Sequence, residues 1–315
     1  MNFFKDLKKL KGDASSRNFF RKKKKNSTSI IVYTNKNKNS NLLNYDCINK
    51  TLIKNKILAP KLLSEHYSKN YIEIQDFGNQ TIFDLLKKGS VNKVKIFKQI
   101  IDILKKIQLI PHKKIKNFKK KIYVIPVYTS KILEAEAKLF SDWYISKKLK
   151  KSDQRKFKKN YHKIIKDLIK NIHLKNDTFV HRDFHVSNLM LVNNEIGVID
   201  SQDALIGNKA YDLASLIDDV RFETSKRLKR KVFGFYLKSQ KILEKKFFES
   251  DFEIISVLRN LKIIGIFTRL AIRDNKKKYL KFIPYAWKLI EFRSKNNKKF
   301  KNLNNLLNDI KKEDK

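Results

Sequence analysis

The chain has 315 residues, 41% of them hydrophobic, and a formal net charge of +42. That length suits one large domain or two lobes, with room for a core. One cysteine, Cys47, excludes an intramolecular disulfide and fits a reducing cytoplasm. The start, MNFFKDLKKLKG, lacks the apolar core of a signal peptide. No run approaches the ~18 uninterrupted apolar residues of a membrane span, so no membrane association is expected. No internal repeat is evident.

The charge has two readings. It suits a nucleic-acid or anionic-surface partner. It also suits a compositional bias, because Lys, Asn, Ile, Phe and Tyr are abundant while Gly (7) and Pro (4) are scarce, as AT-rich codons dictate. The lysines lie along the whole chain and form no clustered basic-plus-aromatic face. Compositional bias is therefore the favoured reading, and no specific nucleic acid or protein partner is inferred.

Residues 1–78 read as a small strand-rich lobe. Strands at 7–10 and 18–21 flank the loop Gly12–Arg17. A β-branched strand follows at 29–33 (SIIVY), with the lysines 22–25 as a solvated turn between. A helix is expected over 41–57 with Pro60 at its exit, then a strand at 71–74 ending in Asp76-Phe-Gly78. From 79 to 295 the pattern is helical. Segments 81–86 and 94–107 carry apolar residues at spacings of three and four. Residues 113–121 read as an exposed basic connection. A helix is expected over 130–148, its apolar face formed by Leu133, Ala137, Phe140 and Tyr144. Further helices are expected over 154–172, 224–247, 251–273 and 276–294. Residues 296–315 read as a basic tail, disordered or a frayed helix. The expected class is α+β: a strand-rich lobe on a helical one.

The chemistry concentrates in 179–219, FVHRDFHVSNLMLVNNEIGVIDSQDALIGNKAYDLASLIDD. Its H-R-D-x-x-x-x-N pattern resembles the catalytic loop of protein kinases and their relatives. A short apolar strand then delivers Asp200. HRDFHVSN with VIDSQDALIGNKAYDLASL resembles the aminoglycoside phosphotransferase/choline kinase family, a small-molecule branch of the bilobal protein-kinase-like fold. GDASSRNFFR, IQDFGNQTIFDLL, EAEAKLFSDWYI and LKIIGIFTRLAIRDNKKKYLKFIP resemble one subgroup. That subgroup is the bacterial anomeric kinases of N-acetylmuramate and N-acetylglucosamine in cell-wall recycling.

The resemblance implies ATP and Mg²⁺, with Asp183 as base and Asn188 and Asp200 as metal ligands. It implies that His181 braces the loop and that Asp212 is buried support for it. His185 reads the same way as His181. Asp203 stays open among a substrate contact, a residue behind the metal ligands and a turn. Gly12, Ser15, Ser16 and Arg17 are candidates to cradle phosphate, and Arg17 has the alternative of facing solvent. Glu136 and Trp143, seven residues apart, share a helix face and suit a pyranose, unless they are core. Arg269 and Arg273 suit a substrate carboxylate, or ion pairs with Asp274 or Asp218. The strand lysine and helix glutamate of protein kinases are both missing, and Asp200 is followed by Ser-Gln rather than Phe-Gly. Three functions compete: amino-sugar kinase, phosphotransferase for an aminoglycoside or amino alcohol, and non-catalytic basic nucleic-acid-binding or scaffold protein. The first is favoured, because a polycationic aminoglycoside needs an acidic rim.

Overall fold

A computed structural model describes residues 7–10, 17–25, 27–38, 40–111, 114–238 and 242–313. The expected phosphate-loop residues Gly12, Ser15 and Ser16 lie outside the described residues. The chain divides into two compact units along a line different from the expected boundary at 78. One unit joins Met1–Pro126 to Thr178–Ile206, and the other joins Val127–Asp177 to Gly207–Lys315.

The first unit is built on an antiparallel five-stranded sheet. Its strands are β1 (Lys8–Lys9), β2 (Asn18–Lys23), β3 (Thr28–Tyr33), β4 (Leu62–His66) and β5 (Tyr71–Gln75), in the order β1-β2-β3-β5-β4. Helix α1 (Ser40–Lys54) covers one face. Alternation decides which residues it covers. Val32 stands opposite Phe19 and Ile72, and Ile30 opposite Ile74. These side chains form a core with Leu42 and Tyr45 of the helix. The lysine run differs from expectation, since β2 continues to Lys23 before the turn. Strand β4 was not legible as a strand, being a short edge strand with weak alternation.

Helix α2 (Ile82–Lys88) starts at Thr81, whose hydroxyl accepts from the Asp84 amide at 3.0 Å, and stops at Gly89 with φ 71°. Helix α3 (Lys93–Gln108) starts at Asn92 and buries Ile96, Phe97, Ile100, Ile101, Leu104 and Ile107 on one stripe. The expected bare connection 113–121 carries β6 (Ile115–Lys116), which pairs antiparallel with β7 (Ile122–Tyr123) just beyond it. Strand β8 (Thr178–Val180) leads into the H-R-D loop. Strands β9 (Leu189–Val192) and β10 (Glu195–Val198) form a hairpin turned by Asn193 and Asn194, both at positive φ. Strand β11 (Leu205–Gly207) closes the segment.

The second unit is helical. Its elements are α4 (Ser130–Leu139), α5 (Ser146–Lys148), α6 (Lys151–Lys170), α7 (Ala210–Ile217), α8 (Lys226–Leu237), α9 (Ile242–Arg273), α10 (Ile283–Ser294) and α11 (Lys301–Glu313). A π-helical turn, Phe140–Ile145, joins α4 to α5. Gly265 of α9 lies against the backbone of Leu139 and Phe140 there, so closely that a β-carbon would overlap it. Helix α9 runs through the expected break near 250. The expected basic tail folds as α11, with Leu303, Leu307 and Ile310 buried. No helix among the described residues is long and apolar enough to cross a membrane.

Candidate active site

Asp183, Asn188 and Asp200 all belong to the first unit, and local hydrogen bonds fix how they are presented. Within the loop after β8, the amides of His185 and Asn188 donate to the carbonyls of Asp183 (3.1 Å) and His185 (2.9 Å). The Asn188 side-chain amide donates from Nδ2 to the Asp183 carbonyl at 3.0 Å, which leaves Oδ1 as the acceptor end. The backbone of Asn188 in turn accepts from the Ile199 amide at 3.0 Å, tying the loop to the residue before Asp200. Arg182 (φ 76°) and Asp200 (φ 62°) both hold left-handed backbone. Neither is glycine, and such conformations persist where surrounding structure enforces them.

His181 braces this arrangement. It is fully buried, and its Nε2 pairs with the Ile199 carbonyl at 3.1 Å. Burial pushes its pKa down to about 4, so the ring is neutral near pH 7. His185 is also buried, beside Asn188. Among the described residues there is no cluster of three or more His, Cys, Asp or Glu able to hold a metal.

The electrostatics of Asp200 are unusual for a carboxylate. Burial raises its pKa to about 6, with Asp183 and Asp203 adding to the rise and Arg17 opposing it. The negative charge of these acids acts on Asp200, and it is charge of the sign a divalent cation would neutralise. Asp200 and the Asn188 oxygen are hard donors of the kind Mg²⁺ accepts, since that ion takes one or two carboxylates and completes its shell with phosphate and water. The residues present therefore fit such an ion.

Arg17 does not face solvent. It is 8% exposed, and its Nη2 lies 3.2 Å from Asp200 Oδ1 and 3.7 Å from Asp203 Oδ2. Asp203 is exposed and also accepts from the Gln202 side-chain amide at 2.7 Å. Three neighbours were not anticipated. Asn49 of α1 accepts from the Ser201 hydroxyl at 2.6 Å and donates to the Pro60 carbonyl at 2.9 Å. Tyr45 is buried where it feels both Asp200 and Arg17, and burial foremost raises its pKa. Arg21 donates to Asp76 at 2.9 Å and to the Gly78 carbonyl at 2.9 Å, closing the turn after β5. The only sequence signal for these was the polar character of Asn49 and Asp76 in apolar surroundings.

The other candidates lie in the second unit. Glu136 is committed to internal partners: the Tyr128 hydroxyl donates to it, and Lys262 Nζ is 2.8 Å away. Trp143 is half-buried in the π-turn. That turn adds a residue to the helical ladder, so the seven-residue spacing no longer sets Trp143 in line with Glu136. Arg273 pairs with Asp274 through two hydrogen bonds of 2.7 and 2.9 Å. Arg269 is half-buried, and its buried Nε has no hydrogen-bond partner among the described residues. Burial and the neighbouring Arg273 lower its pKa. Asp212 is fully buried in the first turn of α7.

Comparison with known proteins gives these features a context. A family model described as the phosphotransferase enzyme family matches residues 6–243. An N-acetylmuramate/N-acetylglucosamine kinase of Pseudomonas aeruginosa is 29% identical over 240 residues, covering 74% of this chain and 68% of that protein. The protein of the same name from Neisseria meningitidis serogroup B is 27% identical over 287 residues, covering 89% and 83%. The ADP-bound structure of aminoglycoside phosphotransferase APH(2'')-Ib matches with a TM-score of 0.62 at 15% identity, covering 91% of this chain and 93% of that one. That likeness shows the protein-kinase-like fold. With a family model spanning most of its length, H-R-D loop included, the chain belongs to the phosphotransferase enzyme family.

Proposed function

We propose that this protein is a cytoplasmic, Mg²⁺- and ATP-dependent kinase of amino sugars. It would phosphorylate the anomeric hydroxyl of N-acetylmuramate and N-acetylglucosamine in cell-wall recycling. The observation that carries the reading is the local geometry of the H-R-D loop, in which Asn188 bonds the Asp183 carbonyl and the Ile199 amide beside Asp200, with Arg17 held against Asp200 and Asp203. Support for the acceptor comes from the relatives, two of which carry that activity in their names at 27–29% identity.

Asp183 orients the attacking hydroxyl and takes its proton as the oxygen–phosphorus bond forms and the bond to the departing ADP breaks. Asn188 and Asp200 would hold Mg²⁺, which supplies charge neutralisation for the phosphates. His181 keeps the loop in shape as a neutral hydrogen-bonding group. Arg17 contributes positive charge toward the phosphates, and the remaining rate gain comes from positioning. In the second unit, Trp143 and Arg269 are assigned to the acceptor. The guanidinium of Arg269, whose Nε has no hydrogen-bond partner among the described residues, suits the lactyl carboxylate that N-acetylmuramate has and N-acetylglucosamine lacks.

The test is ADP release with N-acetylmuramate, N-acetylglucosamine and kanamycin side by side, with the position of the new phosphate read by phosphorus NMR. The reading expects both sugars to be phosphorylated at the anomeric oxygen and kanamycin to be inert. In Arg269→Ala, KM for N-acetylmuramate should rise by roughly tenfold, the value of one charge-assisted hydrogen bond. KM for N-acetylglucosamine should hold. Turnover with kanamycin alone would overturn the acceptor assignment.

A further inference from the structure

Protein kinases meet the charge of the nucleotide phosphates with a lysine on the third strand, held by a glutamate on the next helix. In this chain an apolar contact stands there instead. The residues of β3 that face α1 are Ile30 and Val32, and both are buried against Leu42 and Tyr45. Helix α1 contains no glutamate, and its one acid, Asp46, is occupied by Lys50 (2.7 Å) and the Phe118 amide (2.8 Å). The helix does touch the metal-ligand segment, but through a neutral group: Asn49 accepts from the hydroxyl of Ser201, the residue after Asp200.

A cation arrives from elsewhere. Arg17 sits one residue before β2, at the end of the expected phosphate loop, and is 8% exposed. Its guanidinium approaches Asp200 at 3.2 Å and Asp203 at 3.7 Å. Burying an arginine is costly unless acids compensate it, and here two do. Asp200 is also a carboxylate that would hold the metal, so Arg17 is held beside the group that would receive the phosphate-bound ion. Guanidinium suits the position. It stays charged, and its planar fork can bond a carboxylate and a phosphate oxygen together.

We propose that Arg17 is the phosphate-binding cation of this enzyme, replacing the lysine–glutamate pair, and that Asp200 and Asp203 hold it in place for the nucleotide. The proposal rests on reading the site as a nucleotide-dependent phosphotransferase. It makes the pairing partner of the phosphate cation a metal ligand rather than a residue of α1. Loss of Arg17 should therefore be felt in proportion to the number of phosphates, with no dependence on the base or ribose.

The experiment is calorimetric titration of the full-length protein with ATP, ADP and adenosine in Mg²⁺, for wild type, Arg17→Met and Arg17→Lys. Thermal melts of the same samples check folding. Arg17→Met should weaken ATP and ADP binding roughly 10- to 100-fold and leave adenosine unchanged, and Arg17→Lys should recover part of the loss. Equal ATP affinity in wild type and Arg17→Met would overturn the assignment. An equal loss for ATP and adenosine would also overturn it, because it would mark a purely structural role. A wild type that binds no nucleotide would instead remove the phosphotransferase reading on which the assignment depends.

Discussion

A half-buried aspartate in the first unit and a fully buried one in the second sit in opposite electrostatic states. Asp200 in the first unit has Arg17 for a partner but also two acidic neighbours, and its pKa rises to about 6. Asp218 in the second unit is fully buried. It accepts from Arg293 Nε at 2.9 Å, Lys229 Nζ at 3.0 Å and the Ser256 hydroxyl at 2.6 Å. Its pKa falls to about 2, because the two cations and the hydrogen bonds outweigh the desolvation of burial. Asp218 is thus fully compensated by the fold. Asp200 is left short of positive charge by the same fold, which is the condition of a group waiting for a cation or phosphate-bound metal. On the proposed reading, the contrast separates an acid that holds structure from one that would hold ligand.

Substitution should exchange these roles. Asp218→Ala strands the buried Lys229 and the half-buried Arg293, and losing one partner of such a pair costs about 3–5 kcal/mol. Thermal denaturation should show it as a drop in Tm on the order of 10 °C for a chain of this size. Asp200→Asn removes a repelled charge, so its Tm should equal or exceed that of wild type while Mg²⁺-dependent nucleotide binding is lost. A large Tm loss in Asp200→Asn would erase the distinction between the two sites.

Acid titration sharpens the comparison by a smaller amount. The folded pKa of Asp218 is depressed, so its stabilisation is present above the unfolded value near 3.8 and is lost as pH falls through about 2. That loss amounts to about 2 kcal/mol. The folded pKa of Asp200 is raised, so the folded state takes up its proton first, and stability grows as pH falls from about 6 toward 4. Urea unfolding from pH 7 to 2.5 should therefore show stability held or rising to about pH 4 and falling below it. In Asp200→Asn the rise should vanish and the acid fall remain. A rise that survives in this variant would assign it to another group.

The H-R-D loop was legible in the sequence because its spacing is local. Asp183 and Asn188 lie on one loop, and Asp200 follows one hairpin later, so tying the loop to the residue before Asp200 needs only local structure. Contacts between distant segments were not legible. Arg17 and Asp200 are 183 residues apart, and Asn49 and Ser201 are 152 apart. Nothing in either local sequence names the partner. Glu136 illustrates a different loss: a helical spacing identified its face but could not show that Lys262 and Tyr128 occupy it. The π-turn at 140–145 is not legible because its residues are ordinary helix residues, and the close neighbour at its start, Gly265, is on another helix. Helix α11 was hidden by its Asn and Lys content, although Leu303, Leu307 and Ile310 repeat at the spacing of one buried stripe.

The most direct test of the account is sugar-dependent ADP release by Asp183→Ala at saturating nucleotide, paired with its affinity for ATP. The expected result is a fall in turnover of roughly 10²- to 10⁴-fold, the range for a lost general base. ATP affinity should stay close to wild type, since Arg17, Asn188 and Asp200 remain. Turnover at the wild-type rate in that variant would contradict the assignment of Asp183, and with it the reading of this loop as the centre of phosphoryl transfer.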